Sequence, residues 1–410
     1  MSLAAKPLGP IPPGFDTTGG ELAIGGHRAS DLARTATPIF VYSRTMIETR
    51  IAQLRAALPE RVAIHYAIKA NSFAPLLAMM CELADGLDIA SGGELGMALA
   101  AGADGSRISF AGPGKRDDEL EAAIAAGVTL NLESEGEAAR ALAMADRLGR
   151  TPRLAIRVNP DFDLRGSGMK MGGGARPFGI DAERVPELAR GLIAAGCEWR
   201  GLHIFAGSQT LDAEAVIAAQ AATLDLADRI AQDIGAPLPA LNLGGGFGIA
   251  YFAGDTPLDL ARVGVALAER CANLPESLAK TELAIELGRW LVGEAGVYLT
   301  RILDRKESRG EIFLVTDGGL HHQLAASGNF GTVVRRNYPL AIATRFAEQP
   351  MEVASVVGCL CTPLDRLADR ALLPRAEPGD LVAVFCAGAY GASASPAAFL
   401  GHGPAAEMLV

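Results

Sequence analysis

The sequence predicts an α/β protein: a (β/α)8 barrel followed by a β-rich C-terminal domain that N-terminal strands complete. Three observations predict it. Eight short apolar runs, each ending in polar residues or glycine, recur through the first two thirds of the chain. Alanine-rich helical stretches separate them. Beyond about residue 295 that rhythm gives way to strand-like runs bounded by Gly, Pro and charged turns. An open doubly wound sheet is the competing architecture, but eight strands are many for it. The expected divisions are a segment 1–34 lending strands to the β-rich domain, a barrel 35–290 and a β-rich domain 291–410.

The first twenty residues are rich in Pro and Gly without a signal-peptide core, so the first of them are expected to be a disordered lead. Residues 21–24, a Gly25-Gly26 turn and residues 38–42 read as short strands and a turn. Residues 44–58 read as an amphipathic helix with Ile47, Ile51, Leu54 and Leu58 on one face and Met46 beside them. Pro59 stops it. The eight strand ends then fall at 65–69, 87–91, 108–112, 130–134, 154–159, 202–208, 241–246 and 283–289, with helices such as 118–126 and 135–148 between them. In the β-rich region 297–304, 312–317, 351–361 and 381–387 read as strands, and Pro378-Gly379-Asp380 is a strong turn.

Composition excludes several function classes. Half of the 410 residues are hydrophobic and a fifth are charged, as in a soluble globular protein. A net charge of −10 argues against a nucleic-acid partner, which needs a basic excess. No apolar run is long enough to span a membrane. Six cysteines without a CxxC pattern read as free thiols in a reducing cytoplasm. Six histidines without an HExxH cluster give a metal site little support, so none is expected.

The chemistry starts at Lys69. Val62, Ile64, Tyr66 and Ile68 take one face of the first strand; Ala63, His65, Ala67 and Lys69 take the other. Lysine is the side chain that condenses with aldehydes. Barrel active sites lie at the C-terminal strand ends, where this chain places Lys69, Asp88, Ser91, Arg157, Asn159, His203, Ser208, the glycine run 244–248 and Glu286. The glycine run follows the seventh strand, where backbone N–H groups can crowd an anion, and Gly288-Arg289 follows the eighth. A phosphate-bearing ligand facing a lysine suggests pyridoxal phosphate; other phosphorylated ligands and Schiff-base aldolases fit these features too. Glu286 narrows the choice, since a carboxylate against a pyridine nitrogen keeps the ring an electron sink, as decarboxylation requires. A structural ion pair is the plain alternative for that glutamate.

The motifs to weigh are Tyr66 to Asn71, DIASGGE from Asp88, RVNP from Arg157, Gly207-Ser208-Gln209, the run from Gly244 to Gly248, ELGR from Glu286, CTPLD from Cys361 and GAY from Gly388. Taken together, they resemble those of the barrel-type pyridoxal-phosphate decarboxylases, the family of diaminopimelate, ornithine and arginine decarboxylases. The resemblance covers nearly the whole chain and implies a role for each site. Lys69 would hold the cofactor aldehyde, and Ser208, Gly245, Gly246, Gly288, Arg289 and Tyr390 its phosphate. Glu286 would meet the pyridine nitrogen, and Asp88, Arg157, His203 and Phe205 would complete the cofactor site. Cys361 would protonate the carbanion after CO2 leaves, reaching the site from the partner subunit of a homodimer. Thr362 and Asp365 would lie beside substrate.

Departures from the family pattern bear on substrate. Phe205 stands where the family has a ring-stacking histidine; it can stack but not titrate. Thr362 stands where diaminopimelate decarboxylases have glutamate and ornithine decarboxylases aspartate, and it cannot pair with a distal cation. The stretch from His321 to Ala326 lacks the arginine expected for a distal carboxylate. The substrate is therefore expected not to be a basic amino acid, and both a free and a carrier-bound amino acid stay open. CTPLD and the SGNFG run from Ser327 to Gly331 resemble family members that act on amino acids carried on acyl-carrier proteins and members encoded beside bacterial exopolysaccharide and protein-sorting systems. Arg335 and Arg336 are candidates to meet an acidic or phosphopantetheine group, with exposed loop arginines the plainer reading. Diaminopimelate decarboxylase proper, a racemase on the same barrel and an inactive pyridoxal-phosphate-binding relative are the rival functions. Glu286 opposes the racemase; Lys69, Cys361 and Tyr390 oppose inactivity.

Overall fold

A computed structural model of the chain describes residues 4–164, 166, 168–328 and 335–410, the side chains of Met169 and Lys170 aside. They form two compact units: Ile51–Gly248 with Leu258–Gly288, and the chain up to Arg50 with Ile249–Pro257 and Arg289–Val410.

The first unit is the barrel. Its strands are β1 (Val62–Ala67), β2 (Gly86–Ile89), β3 (Ile108–Phe110), β4 (Thr129–Leu132), β5 (Arg153–Asn159), β6 (Glu198–Ile204), β7 (Ala240–Asn242) and β8 (Glu282–Leu287). All pair in parallel, each with its successor, and β8 returns to β1 with Glu286 opposite His65. A two-residue strand, Ile180–Asp181, flanks β5 in parallel. Alternation sorts the side chains as expected: Val62, Ile64 and Tyr66 are buried, while Ala63 and His65 line a cavity inside the barrel. That cavity, about 250 Å³, lies among the N-terminal halves of the strands and holds none of the expected site residues.

Three details differ from the sequence reading. Strand β1 ends at Ala67, not Lys69, because residues 68–70 wind into one 3₁₀ turn. Asn71 N–H donates to Ile68 O at 3.0 Å, and Tyr66 Oη donates to Asn71 O at 2.7 Å. Strand β6 begins four residues early and slips register against β5 between Trp199 and Gly201. Gly201 (φ +96°) makes that bulge possible, since a Cβ there would lie 1.9 Å from Ala240 O.

The helices hold to their patterns. Arg44–Ala57 buries Ile47, Ile51 and Leu54. Asp117–Ala125 and Glu135–Leu148 lie within a residue of expectation. Ser134 caps the latter at its start and Gly149, at φ +60°, at its end.

The second unit is a mixed sheet, in the order Leu340–Ile342, Leu381–Val384, Gly296–Ser308, Glu311–Thr316, Glu352–Val357 and Arg366–Leu373. Strand Ile39–Tyr42 pairs antiparallel with Gly296–Leu299 and parallel with Ala406–Leu409. Leu22, Ile24, Ile39, Val41, Val297, Leu299, Leu381 and Phe385 build its core. The N-terminal chain therefore enters this unit as expected, which takes in the chain up to Arg50, and all four residues of Ile39–Tyr42 are buried in its sheet. A further excursion, Ile249–Pro257, was not foreseen. The described part of the lead is held at Lys6 rather than loose: its N–H donates to Arg370 O at 2.8 Å, and its Nζ pairs with Asp369 at 2.5 Å. Of the run Ser327 to Gly331, Asn329, Phe330 and Gly331 lie outside the described residues.

Candidate active site

At the C-terminal ends of the barrel strands a cavity of about 240 Å³ is lined by Lys69, Asp88, Arg157, His203, Phe205 and Glu286. Six of the expected site residues thus converge. Glu286 is central and buried: Lys69 Nζ approaches its Oε1 at 3.5 Å, and His203 Nε2 lies 3.0 Å from its Oε2. Burial alone would raise this carboxyl. The Lys69 ammonium, the His203 hydrogen bond and the Arg157 guanidinium override burial and hold it well below the usual carboxylate range. Lys69 is half exposed, with its nitrogen 5.6 Å from the Phe205 ring centroid. His203 takes the hydrogen bond to Glu286 while Phe205, two residues on, supplies an apolar plate.

Asp88 is buried with His65 Nδ1 3.3 Å from its Oδ2, an ion-pair contact whose angles fall short of a hydrogen bond. Burial would lower the His65 imidazole, but Asp88 outweighs it and raises it. Arg157 donates to Glu133 Oε1 at 2.9 Å and stacks on Phe178, with 5.2 Å to the ring centroid.

The loops after β6 and β7 lock together, Thr210 N–H donating to Gly246 O at 3.0 Å and Gly248 N–H to Thr210 O at 2.8 Å. A Cβ on Gly245 would sit 1.9 Å from Glu286 O, and Gly246 has φ +84° with Gly207 O 2.7 Å from any Cβ. Only glycine fits this turn. Ser208 lies in the same loop region, its strand pairing with Met169–Lys170, and Gly288 packs on Ala70, next to Lys69.

The remaining candidates belong to the other unit. Arg289 donates to Tyr251 Oη at 2.8 Å and lies over the Tyr390 ring at 4.7 Å, with its buried Nε unpartnered. Cys361 is exposed and Thr362 half-buried. Asp365 is buried, Oδ1 accepting from Leu320 N–H at 2.7 Å and Oδ2 from Leu360 N–H at 2.8 Å. Both oxygens of Asp365, expected beside substrate, clamp loops of their own unit. Arg335 donates to Leu364 O, and Arg336 lies over the Phe252 ring at 3.8 Å.

Sequence reasoning missed the support beneath this rim. Glu133 accepts from Arg157, Gly112 N–H and Gly179 N–H. Buried Lys115 donates to Glu137 at 2.7 Å, and Glu137 accepts from Glu133 N–H at 2.7 Å. Ser91-Gly-Gly-Glu94 and Ser134-Glu-Gly-Glu137 are one device used twice: the serine accepts from the glutamate N–H, and the glutamate accepts from the amide just before the serine. The S-x-x-E capping signature was the signal available.

The residues fit pyridoxal phosphate. A half-exposed lysine, an ionised carboxylate, a glycine turn that excludes any Cβ, and buried atoms without hydrogen-bond partners (His203 Nδ1 and Asp88 Oδ1) are what an aldehyde, a pyridine nitrogen and an anion need. Barrel and site together define a pyridoxal-phosphate enzyme of the barrel class. The family model for the pyridoxal-binding domain of pyridoxal-dependent decarboxylases matches residues 44–293. Among curated proteins, the L-glutamyl-(BtrI acyl-carrier protein) decarboxylase of Niallia circulans is 35% identical over 92% of this chain and 89% of its own length. The diaminopimelate decarboxylase of Aquifex aeolicus is 34% identical, over 91% and 86%. Among solved structures, diaminopimelate decarboxylase of Helicobacter pylori complexed with L-lysine superposes with a TM-score of 0.80 at 27% identity, covering 93% of each chain. That of M. jannaschii gives 0.84 at 25%, covering 97% and 92%. The chain belongs to the pyridoxal-dependent decarboxylase family and is a carboxy-lyase that uses pyridoxal phosphate. Among the described residues no helix is long and apolar enough to cross a membrane.

Proposed function

We propose that the enzyme removes the α-carboxylate of an amino acid without a cationic distal group, carried as a thioester on an acyl-carrier protein, and that it works as a homodimer with shared sites. Thr362 carries the reading, because a hydroxyl after Cys361 cannot neutralise a distal ammonium and discrimination follows from such unpaired groups. The 35% identity to a carrier-protein glutamyl decarboxylase over 92% of the chain supports it.

The residues have these parts. Lys69 Nζ holds the cofactor aldehyde. Ser208, Gly245, Gly246, Gly288, Arg289 and Tyr390 hold its phosphate, as an anion held by a glycine turn and a guanidinium. When bound, the cofactor supplies an electron sink for the pair left at Cα as CO2 departs. Glu286, an anion that can only accept, keeps a proton on the nitrogen it faces, and His203 Nε2 orients it. Phe205 excludes water from one face, and Arg157 and Asp88 border the pocket. Cys361, exposed in its own chain, delivers a proton to Cα in the partner's site.

The test is CO2 release by cofactor-loaded enzyme from diaminopimelate, lysine, ornithine, arginine, free glutamate and glutamyl pantetheine thioester. Release confined to the thioester is expected. Turnover of diaminopimelate or a basic amino acid sinks this substrate assignment. Diaminopimelate itself is the second reading, favoured by curated relatives of that name 32–34% identical to this chain.

A further inference from the structure

Three metal-competent side chains from distant parts of the sequence meet in the β-rich unit. His321, Cys359 and His402 each offer one donor atom, and the three atoms lie within 4.8 Å of one another. The His321 and His402 rings are 4.8 Å apart between centroids, and Cys359 Sγ is 3.9 Å from His402 Nε2. His321 is fully buried, and neither of its ring nitrogens has a hydrogen-bond partner. An orphaned imidazole in the interior lacks what buried polar groups ordinarily have, so it calls for an explanation. Its neighbour has one: His322 Nδ1 meets Tyr298 Oη at 3.1 Å, and its Nε2 meets Gly403 O at 3.0 Å.

The surrounding bonds hold the donors in place. Asp365 accepts from Leu320 N–H, just before His321, and from Leu360 N–H, just after Cys359. Any Cβ on Gly319 or Gly358 would strike that carboxylate, at 2.1 and 2.2 Å. Two loops are thus pinned at the residues beside the donors, the kind of outer support metal ligands receive.

We propose that His321, Cys359 and His402 form a binding site for a zinc-class divalent cation, with a fourth position open to water. Two imidazoles and a thiolate suit that ion, and neither magnesium nor calcium. Tetrahedral zinc sets donor separations of about 3.4–3.7 Å. Closing to that distance asks for a shift of His402, whose side chain is exposed. On binding, the Cys359 thiol proton leaves to solvent as the sulfur–metal bond forms. No metal site was legible in the sequence because the three donors are spread over 82 positions, with no short spacing to see.

The experiment uses the full-length cofactor-loaded enzyme, equilibrated with one equivalent of Zn²⁺, dialysed and assayed for bound metal, with Co²⁺ as the spectroscopic probe. One metal per chain and visible bands of four-coordinate Co²⁺ are expected. Cys359→Ser and His402→Ala should each weaken binding by more than about 100-fold, the upper end of what loss of an outer-shell partner costs. His27→Ala and Cys271→Ser should bind as the parent does. No retained metal in the folded parent overturns the proposal, and so does retention that survives both site substitutions.

Discussion

Glu286 sits between a lysine at 3.5 Å and a histidine at 3.0 Å, and its charge is the property the site depends on. Glu286→Gln keeps the shape and removes the charge. We expect kcat to fall by about 10²–10³, the range for losing one preorganised electrostatic stabiliser, with cofactor still bound. Steady-state kinetics with the absorbance of bound cofactor checks both parts. Beneath it, Glu133 is ionised although buried: burial would raise its carboxyl, but Arg157 and Lys115 hold it below 4.5. Its stabilisation is complete above that unfolded value and is lost as pH falls through the lower folded one. Glu133→Gln should cost about 3–5 kcal/mol near neutrality, as when one partner of a buried pair is removed, and flatten the acid side of a urea-midpoint profile. Lys69, Asp88 and Glu286 were legible because strand-end position in a barrel is itself a functional signal. Glu133, Lys115 and Glu137 were not, since each acts on groups from a neighbouring rim segment and reads locally as a helix-terminal charge.

Strands show the same division. The eight barrel strands could be read because each is short, apolar and followed by a polar end. Arg366–Leu373 could not: Leu, Ala and Arg favour helix, and only pairing with Glu352–Val357 makes that segment a strand. The bulge in β6 was hidden too, because a lone glycine does not announce its partner. Two glycines give a paired test. Gly201→Ala forces a side chain onto φ +96° and into Ala240 O, and should destabilise by at least about 1–3 kcal/mol. Gly191→Ala, on the exposed face of helix Val185–Ala194 with nothing within 4 Å, should stabilise by about 0.5–1 kcal/mol. Urea midpoints of the two variants should move in opposite directions.

A homodimer with sites shared between subunits makes a prediction that no single chain can satisfy. Lys69→Ala and Cys361→Ser should each be nearly inactive. Unfolded together and refolded as a mixture, half of the dimers would be mixed, each with one site that has both residues intact. About a quarter of parental activity should return. Recovery of nothing, with mixed dimers confirmed by mass, would place Lys69 and Cys361 in the same subunit's site or remove Cys361 from the chemistry.

The strand Ile39–Tyr42 leaves the ribosome well before its two pairing partners, Gly296–Leu299 and Ala406–Leu409. Translation at about 5–20 residues per second puts tens of seconds between the strand and the last of them. Until Gly296–Leu299 emerges, four consecutive apolar residues, Ile-Phe-Val-Tyr, have no sheet to join, while the whole barrel is synthesised in between. A holding chaperone supplied during synthesis is therefore expected to raise the soluble yield of this enzyme in a foreign host, which expression with and without one would check.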